Sequence, residues 1–346
     1  MKKITKLISF AAAGIMALQA TAFADFSDMP DGEIGASLQK AVSNGLITGY
    51  EDGTVRPNDN ITRAQMAAII VRAMGAKDNS NQAFPDVAAD AWYNDAVSKA
   101  VKMGAFKGDT DGNFNPENNI SCQETYTVLS RVFQFESYAL NYSDGSVKYA
   151  TKADPSCLNS FADSSSVASW ATDYAAAIVG NGGFTGFNGQ LKGDSYITRG
   201  EFAYLMDSLI GTYIDEPGTY LEGTIDGSKS VVVRTGGVVL DGFHGQRNLI
   251  IAYSADERGV MIKNSSVALV LAVMGCADPN KNFNNLKSYI SVGAAKADDF
   301  KDIRVCAPYI YLDASGAMMT KNGFLKGYSD NSGVPKSKIN LGMVGG

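Results

Sequence analysis

The apolar positions of the chain have two textures. Up to about residue 215 they recur at helical spacing, and beyond it they fall into short continuous runs. Met66, Ile69, Ile70, Ala73 and Met74 follow i, i+3, i+4, i+7, i+8. So do Thr125, Val128, Leu129, Val132 and Phe133, and again Phe202, Leu205, Met206, Leu209 and Ile210. That period buries one stripe of an amphipathic helix. A related hexapeptide opens each stripe: Ile-Thr-Arg-Ala-Gln-Met at 61–66, Ile-Ser-Cys-Gln-Glu-Thr at 120–125 and Ile-Thr-Arg-Gly-Glu-Phe at 197–202. Thr62, Ser121 and Thr198 stand three residues before Gln65, Glu124 and Glu201, the spacing of a capping box, so the three helices begin there.

Phe26-Ser27-Asp28, Phe84-Pro85-Asp86 and Phe161-Ala162-Asp163 precede these helices. The distance from each Phe to the Ile of its hexapeptide (26 to 61, 84 to 120, 161 to 197) agrees to within one residue. Fixed spacing of this kind marks a tandem repeat. A first helix follows each opening; it carries Trp92, Val97 and Ala100 in copy two and Trp170, Tyr174 and Ile178 in copy three. Gly-rich turns then supply positive φ angles, with Tyr50-Glu51-Asp52-Gly53 in copy one and Phe187-Asn188-Gly189 in copy three. The repeats cover 25–76, 84–135 and 161–215, and a stretch rich in Ser, Tyr, Asn and Asp at 136–160 reads as an inserted loop.

After Asp215-Glu216-Pro217-Gly218 the runs are β-branched and divided by Gly, Asn and Asp: 230–233, 237–240, 248–251, 259–262, 267–273, 289–292, 303–305 and 309–312. They predict an all-β domain over 216–328, either a short β-helix or a sandwich, followed by a flexible tail at 329–346. The fold class is multidomain, mainly α and then all-β.

The chain begins Met1-Lys2-Lys3, continues with an apolar run to about Leu18, and has Ala22-Phe23-Ala24 before Asp25. These features describe a secretory signal peptide over 1–24, and no later run is long enough to span a membrane. The net charge is −6, with the acidic excess lying in residues 25–215. That balance argues against nucleic acid as a partner. The four cysteines, Cys122, Cys157, Cys276 and Cys306, match no zinc spacing. Export permits disulfides, Cys276 with Cys306 and Cys122 with Cys157, while buried free thiols fit almost as well.

Arginine is unfavourable at the positive end of a helix dipole, yet Arg63 and Arg199 stand there, where copy two has Cys122. Two readings stay open. The guanidinium serves a bound carboxylate or phosphate beside free backbone N–H groups, or it bridges to a neighbouring repeat. Cys122→Arg is then expected to leave folding nearly unchanged. Asp109-x-Asp111-Gly112 hints at a calcium loop but lacks its glycine and glutamate positions, so it reads as a turn and no metal site is expected. His244, between Asp241 and Arg247, reads as a polar-loop residue.

The Phe-x-Asp opening, the Trp of the first helix, the Gly-x-x-Asp-Gly turn and Ile-Thr-Arg-Ala-Gln together resemble S-layer homology (SLH) domains, in a tandem of three over about 25–215. The resemblance implies a pseudo-threefold helical spindle whose grooves bind secondary cell-wall polysaccharide, often bearing ketal-linked pyruvate. It implies Arg63 and Arg199 as the anchoring residues, lined by Tyr50, Asp52, Gly53, Phe187, Asn188 and Gly189. Trp92 and Trp170 are placed either on sugar rings or, preferably, in the core. Cys122 puts one groove in doubt, since a thiolate repels an anion. The expected function is non-covalent anchoring of an exported protein at the bacterial surface, with a structural or adhesive β module, S-layer assembly as one outcome and no cofactor. The alternatives are a wall-anchored polysaccharide lyase or hydrolase, and peptidoglycan as the ligand.

Overall fold

The computed structural model describes residues 26–133, 135, 153–256 and 258–273, with strand segments at 139–141, 148–150, 289–293, 303–305, 309–312, 317–320 and 339–341. The segment expected to be a signal peptide, Cys276, Cys306 and most of the expected 329–346 tail lie outside the described residues.

The helices are α1 (Gly32–Ser43), α2 (Arg63–Met74), α3 (Asn94–Lys102), α4 (Cys122–Phe133), α5 (Thr172–Ala176) and α6 (Arg199–Leu209). The expected capping boxes define the starts of α2, α4 and α6. Thr62 and Thr198 each accept from the N–H three residues on, with the reciprocal Gln65 and Glu201 contacts present. At α4 the Ser121 N–H donates to Glu124 Oε2 at 2.9 Å, and the Glu124 N–H donates to Ser121 Oγ at 3.3 Å. Between repeats two and three, β1 (Ala139–Asn141) and β2 (Lys148–Ala150) pair antiparallel, followed by a 3-10 turn at Pro155–Ser160.

The repeats close a cycle. The Ile61 N–H donates to Ile197 C=O at 3.0 Å, Ile120 N–H to Ile61 C=O at 3.0 Å, and Ile197 N–H to Ile120 C=O at 3.1 Å. Each first helix packs on the second helix of the preceding repeat: α3 on α2, α5 on α4, and α1 back on α6. The Phe-x-Asp opening has a physical cause. Asp28 accepts from the N–H groups of Val55 and Arg56, Asp86 from Phe114 and Asn115, and Asp163 from Leu191 and Lys192. Each carboxylate thereby clamps the loop that leads into the second helix. It also holds Arg56, Asn115 and Lys192 in the left-handed region, where residues other than Gly are uncommon. The Phe rings pack over Gly49, Gly108 and Gly186, where an added Cβ would come within 1.9, 2.7 and 2.7 Å of Phe26, Phe84 and Phe161.

The chain then alternates between two six-stranded sheets, until near its end two successive strands share one sheet. One holds β3 (Ile210–Ile214), β5 (Ser230–Val233), β7 (His244–Ile251), β9 (Ser266–Ala272), β11 (Ile303–Val305) and β14 (Ile339–Leu341) as successive neighbours. The other holds β4 (Gly218–Leu221), β6 (Val238–Asp241), β8 (Val260–Lys263), β10 (Tyr289–Gly293), β12 (Tyr309–Leu312) and β13 (Ala317–Thr320). Every pairing is parallel except β12 with β13. The predicted runs coincide with strands; β3 and β4 are added ahead of them, with Ile210 opening β3 instead of closing the third helix stripe, and β13 and β14 after them, the last pairing with β11 inside the segment expected to be a flexible tail. In the first sheet Val232, Ile250 and Leu271 lie in register and join the hydrophobic core of the helical region. Val231, Leu249 and Val270, one residue earlier, are also buried. Strands buried on both faces give continuous apolar runs without alternation. The helical part and this sheet therefore share one core.

Among the described residues, no helix is long and apolar enough to cross a membrane.

Candidate functional site

The cyclic packing brings the start of each second helix against the loop of the next repeat. The Arg63 and Ala64 N–H groups donate to Asn118 and Pro116 C=O, Cys122 and Gln123 to Ser195 and Gly193, and Arg199 and Gly200 to Asp59 and Pro57. With the third N–H taken by the cap, these helix starts have few N–H groups left for an anion. This corrects the expectation of free donors beside the arginines. The three junctions share this frame and differ in side chains.

At the first junction Arg63 Nε donates to Phe114 C=O at 2.9 Å, and Nη1 lies 3.3 Å from Glu124 Oε1. Its guanidinium lies 5.2 Å and 5.4 Å from the ring centroids of Phe114 and Phe106. Burial lowers the guanidinium pKa, and the Glu124 carboxylate opposes that shift. Arg63 lines an open, polar cavity of about 760 Å³ together with Lys107, Asp109, Glu117, Glu124 and Tyr196. All three repeats contribute, and Tyr196, from the third, is 56% exposed.

At the junction of repeats three and one, Arg199 Nε donates to Val55 C=O and Nη2 to Thr48 C=O, both at 2.7 Å. The residue is 6% exposed. Its guanidinium carbon lies 5.1 Å from the centroid of Tyr50, a ring that also carries Arg56 at 3.8 Å. Asp52 pairs with Arg56 at 2.9 Å; the Thr54 hydroxyl and then Arg56 hold its carboxyl at a pKa of about 2. Gly53, at φ +77°, closes this turn by donating to Tyr50 C=O.

At the remaining junction no arginine is present. Val55, Phe114 and Leu191 are equivalent, since each donates its N–H to the Asp of its own Phe-x-Asp opening. Arginine serves the first two carbonyls. The Leu191 carbonyl is served by the Tyr126 hydroxyl. Tyr126 occupies the position of Ala67 and Ala203 in the sibling helices and is fully buried, as is Cys122. One substitution pair, Arg/Ala to Cys/Tyr, therefore keeps the same acceptor satisfied. Burial, then the Glu201 carboxylate, pushes the Cys122 thiol up to about 12. It is neutral at physiological pH, so the expected repelling thiolate is corrected. Glu201 is paired instead with Lys192 at 2.6 Å.

Other expectations are also revised. Arg63 faces the loop of repeat two, not the turn of its own repeat. Phe187, Asn188 and Gly189 adjoin the arginine-free junction; Phe187 is buried against Phe184 at 5.0 Å, and the other two form its turn at φ 52° and 74°. Trp92 and Trp170 are 66% and 54% exposed, so core packing is overturned. Both precede their helices, and the small Val97 and Ala100 form the buried face of α3. Cys122 and Cys157 are free thiols, so their disulfide does not form. His244 lies on β7, with Nδ1 2.9 Å from Ser266 Oγ, and Arg247 reaches away to the carbonyls of Gly180 and Asn181. Cys122→Arg would have to displace Tyr126, which the motif alone did not reveal.

Sequence reasoning missed Tyr126, Lys107 and Tyr196. Alignment of the copies exposes Tyr126 against two alanines. Nothing local marks Tyr196, because it meets the cavity across a repeat boundary.

The S-layer homology domain model matches residues 22–67, 83–124 and 160–203. The surface-layer 125 kDa protein of Lysinibacillus sphaericus is 31% identical over 58% of this chain and 17% of its own length. Cell surface glycoprotein 1 of Acetivibrio thermocellus is 32% identical over 52% of this chain and 7% of its own. An endoglucanase of Bacillus sp. strain KSM-635 is 32% identical over 34% of this chain and 13% of its own. The matched part thus spans less than a fifth of each of these relatives. Three matches in tandem, on a cycle of three capped helices, establish that the chain carries three S-layer homology domains.

Proposed function

We propose that the helical part is a pseudo-threefold spindle that anchors an exported protein non-covalently at the bacterial cell surface. Its ligand is an acidic wall polysaccharide, with ketal-linked pyruvate as the acidic substituent. The observation that carries this reading is the polar cavity in which Arg63 and Lys107 stand beside the exposed ring of Tyr196. Cations suit the acidic group, with Arg63 paired to Glu124 and Lys107 beside it; the aromatic face suits a sugar ring, and the Asp109 and Glu117 carboxylates suit hydroxyls. The names of surface-layer relatives support the same location. The segment 1–24 serves as the export signal in this reading.

For residues from Ile210 onward we propose a short parallel β-helix, each coil laying one strand in each sheet, acting as a structural or adhesive module and open to S-layer assembly. Asp215, Asp241 and Asp256 are paired with Arg234, Lys263 and Arg258 at 2.6, 3.0 and 2.5 Å, which supports a structural role for these carboxylates over acid–base chemistry.

Co-sedimentation with purified cell walls tests the anchor. The chain should pellet with intact walls, and Arg63→Ala with Tyr196→Ala should leave it in the supernatant. Undiminished binding to walls stripped of polysaccharide would instead identify peptidoglycan, and undiminished binding by the double variant would overturn the site.

A further inference from the structure

We propose that only the Arg63 junction takes a ligand, and that the other two are structural closures, making each chain a single-point anchor. This rests on the anchoring reading above. The repeats look equivalent in sequence, but their arginines are in different states. Arg63 borders an open cavity with its side chain 16% exposed, held by Phe114 C=O at Nε and by Glu124 at Nη1. Arg199 is 6% exposed, with Nε and Nη2 both committed to carbonyls. The Arg56–Tyr50 stack lies over its guanidinium, and Ile34 packs at the helix start, where a Cβ on Gly200 would come within 2.7 Å of it. An acidic sugar reaching Arg199 would have to part that stack and displace two backbone acceptors.

The Cys122 junction is closed by different means. Cys122 and Tyr126 have no exposed surface, and the Tyr126 hydroxyl occupies the carbonyl that arginine serves elsewhere. Lys192, the nearby cation, is paired with Glu201. A neutral buried thiol and a committed phenol offer nothing to a carboxylate.

Residues of all three repeats line the open cavity. Arg63 and Lys107 are placed for the acidic substituent, Asp109 and Glu117 for sugar hydroxyls, and Tyr196 for the ring face. Tyr196 is thus assigned as the residue that selects a sugar ring over a simple anion.

The test is calorimetric titration of the full chain with short acidic oligosaccharides prepared from wall polysaccharide. The expected stoichiometry is one per chain. Tyr196→Ala, on an exposed site that leaves folding intact, should weaken binding about tenfold. Arg63→Ala should weaken it tenfold or more, and circular dichroism confirms that the variant is folded. Tyr126→Phe and Arg199→Lys should leave the dissociation constant within about twofold, even where they lower the melting temperature. Two or three oligosaccharides per chain, or loss of binding in folded Arg199→Lys with Tyr196→Ala unaffected, would overturn the single-anchor inference alone. Failure of the unaltered chain to bind any of the oligosaccharides would overturn the anchoring reading and this inference with it.

Discussion

At Cys122 a helix start that lacks its arginine is still fully bonded, because Tyr126 reaches the carbonyl that arginine reaches in the siblings. An unsatisfied buried carbonyl costs more than a hydrogen bond gains, about 1–3 kcal/mol, so the acceptor constrains which residue pairs are tolerated. Tyr126→Phe should therefore destabilise by about that amount in denaturant unfolding. Cys122→Arg alone crowds a full site and should cost about 1–3 kcal/mol, while Cys122→Arg with Tyr126→Ala rebuilds the sibling arrangement and should recover most of it. Additive costs in the double variant would refute the exchange. The Cys122 thiol adds a pH signature. An unfolded thiol ionises near 8.5, whereas the folded one holds its proton to about 12. The unfolded state then binds fewer protons, so this contribution is whole below the unfolded value and lost as pH rises between the two. Cys122→Ala should flatten the alkaline fall in stability. An unchanged slope would show that the thiol does not contribute to it.

The element scale is governed by clamps that join distant parts of one repeat. Asp86 accepts the Phe114 and Asn115 N–H groups at 2.9 and 2.6 Å and fixes the loop whose Phe114 carbonyl then receives Arg63. Asp86→Ala should cost about 3 kcal/mol or more, because two backbone donors lose a charged acceptor. It should also weaken wall binding through the loop. The cap is a smaller lever: Thr198→Ala removes one N–H acceptor at the start of α6 and should cost about 1 kcal/mol. If the two variants were equally destabilised in urea, the clamp would be no more important than an ordinary cap.

On the scale of the whole molecule, the helical cycle and the first sheet are not separate bodies on a linker. Val232, Ile250 and Leu271 belong to the same core as the repeat helices. Asn248 Nδ2 donates to Phe133 C=O, Lys229 Nζ to Asp207 C=O, and the Tyr253 N–H to Met74 C=O across the same boundary. Ile250→Ala should destabilise by about 2–5 kcal/mol and shift helical and tertiary signals together. Separate thermal transitions for the two signals would show that the shared core is not cooperative.

Repeat number, helix starts, the Phe-x-Asp openings and most strands were legible in the chain because each depends on near neighbours: a cap three residues away, a stripe of period 3.6, a run of β-branched residues. Even the exchange at Cys122 left a trace, a tyrosine where two copies have alanine. The site was less legible. That Arg63 opens onto a cavity, that Arg199 lies under Tyr50, that Tyr196 lines that cavity from another repeat and that Trp92 faces solvent were decided only when the three copies closed into a cycle. Closure pairs each helix with a neighbour's loop, so related motifs acquire different surroundings. Hydrogen-bond acceptors and open space at each junction then set what its side chain can do.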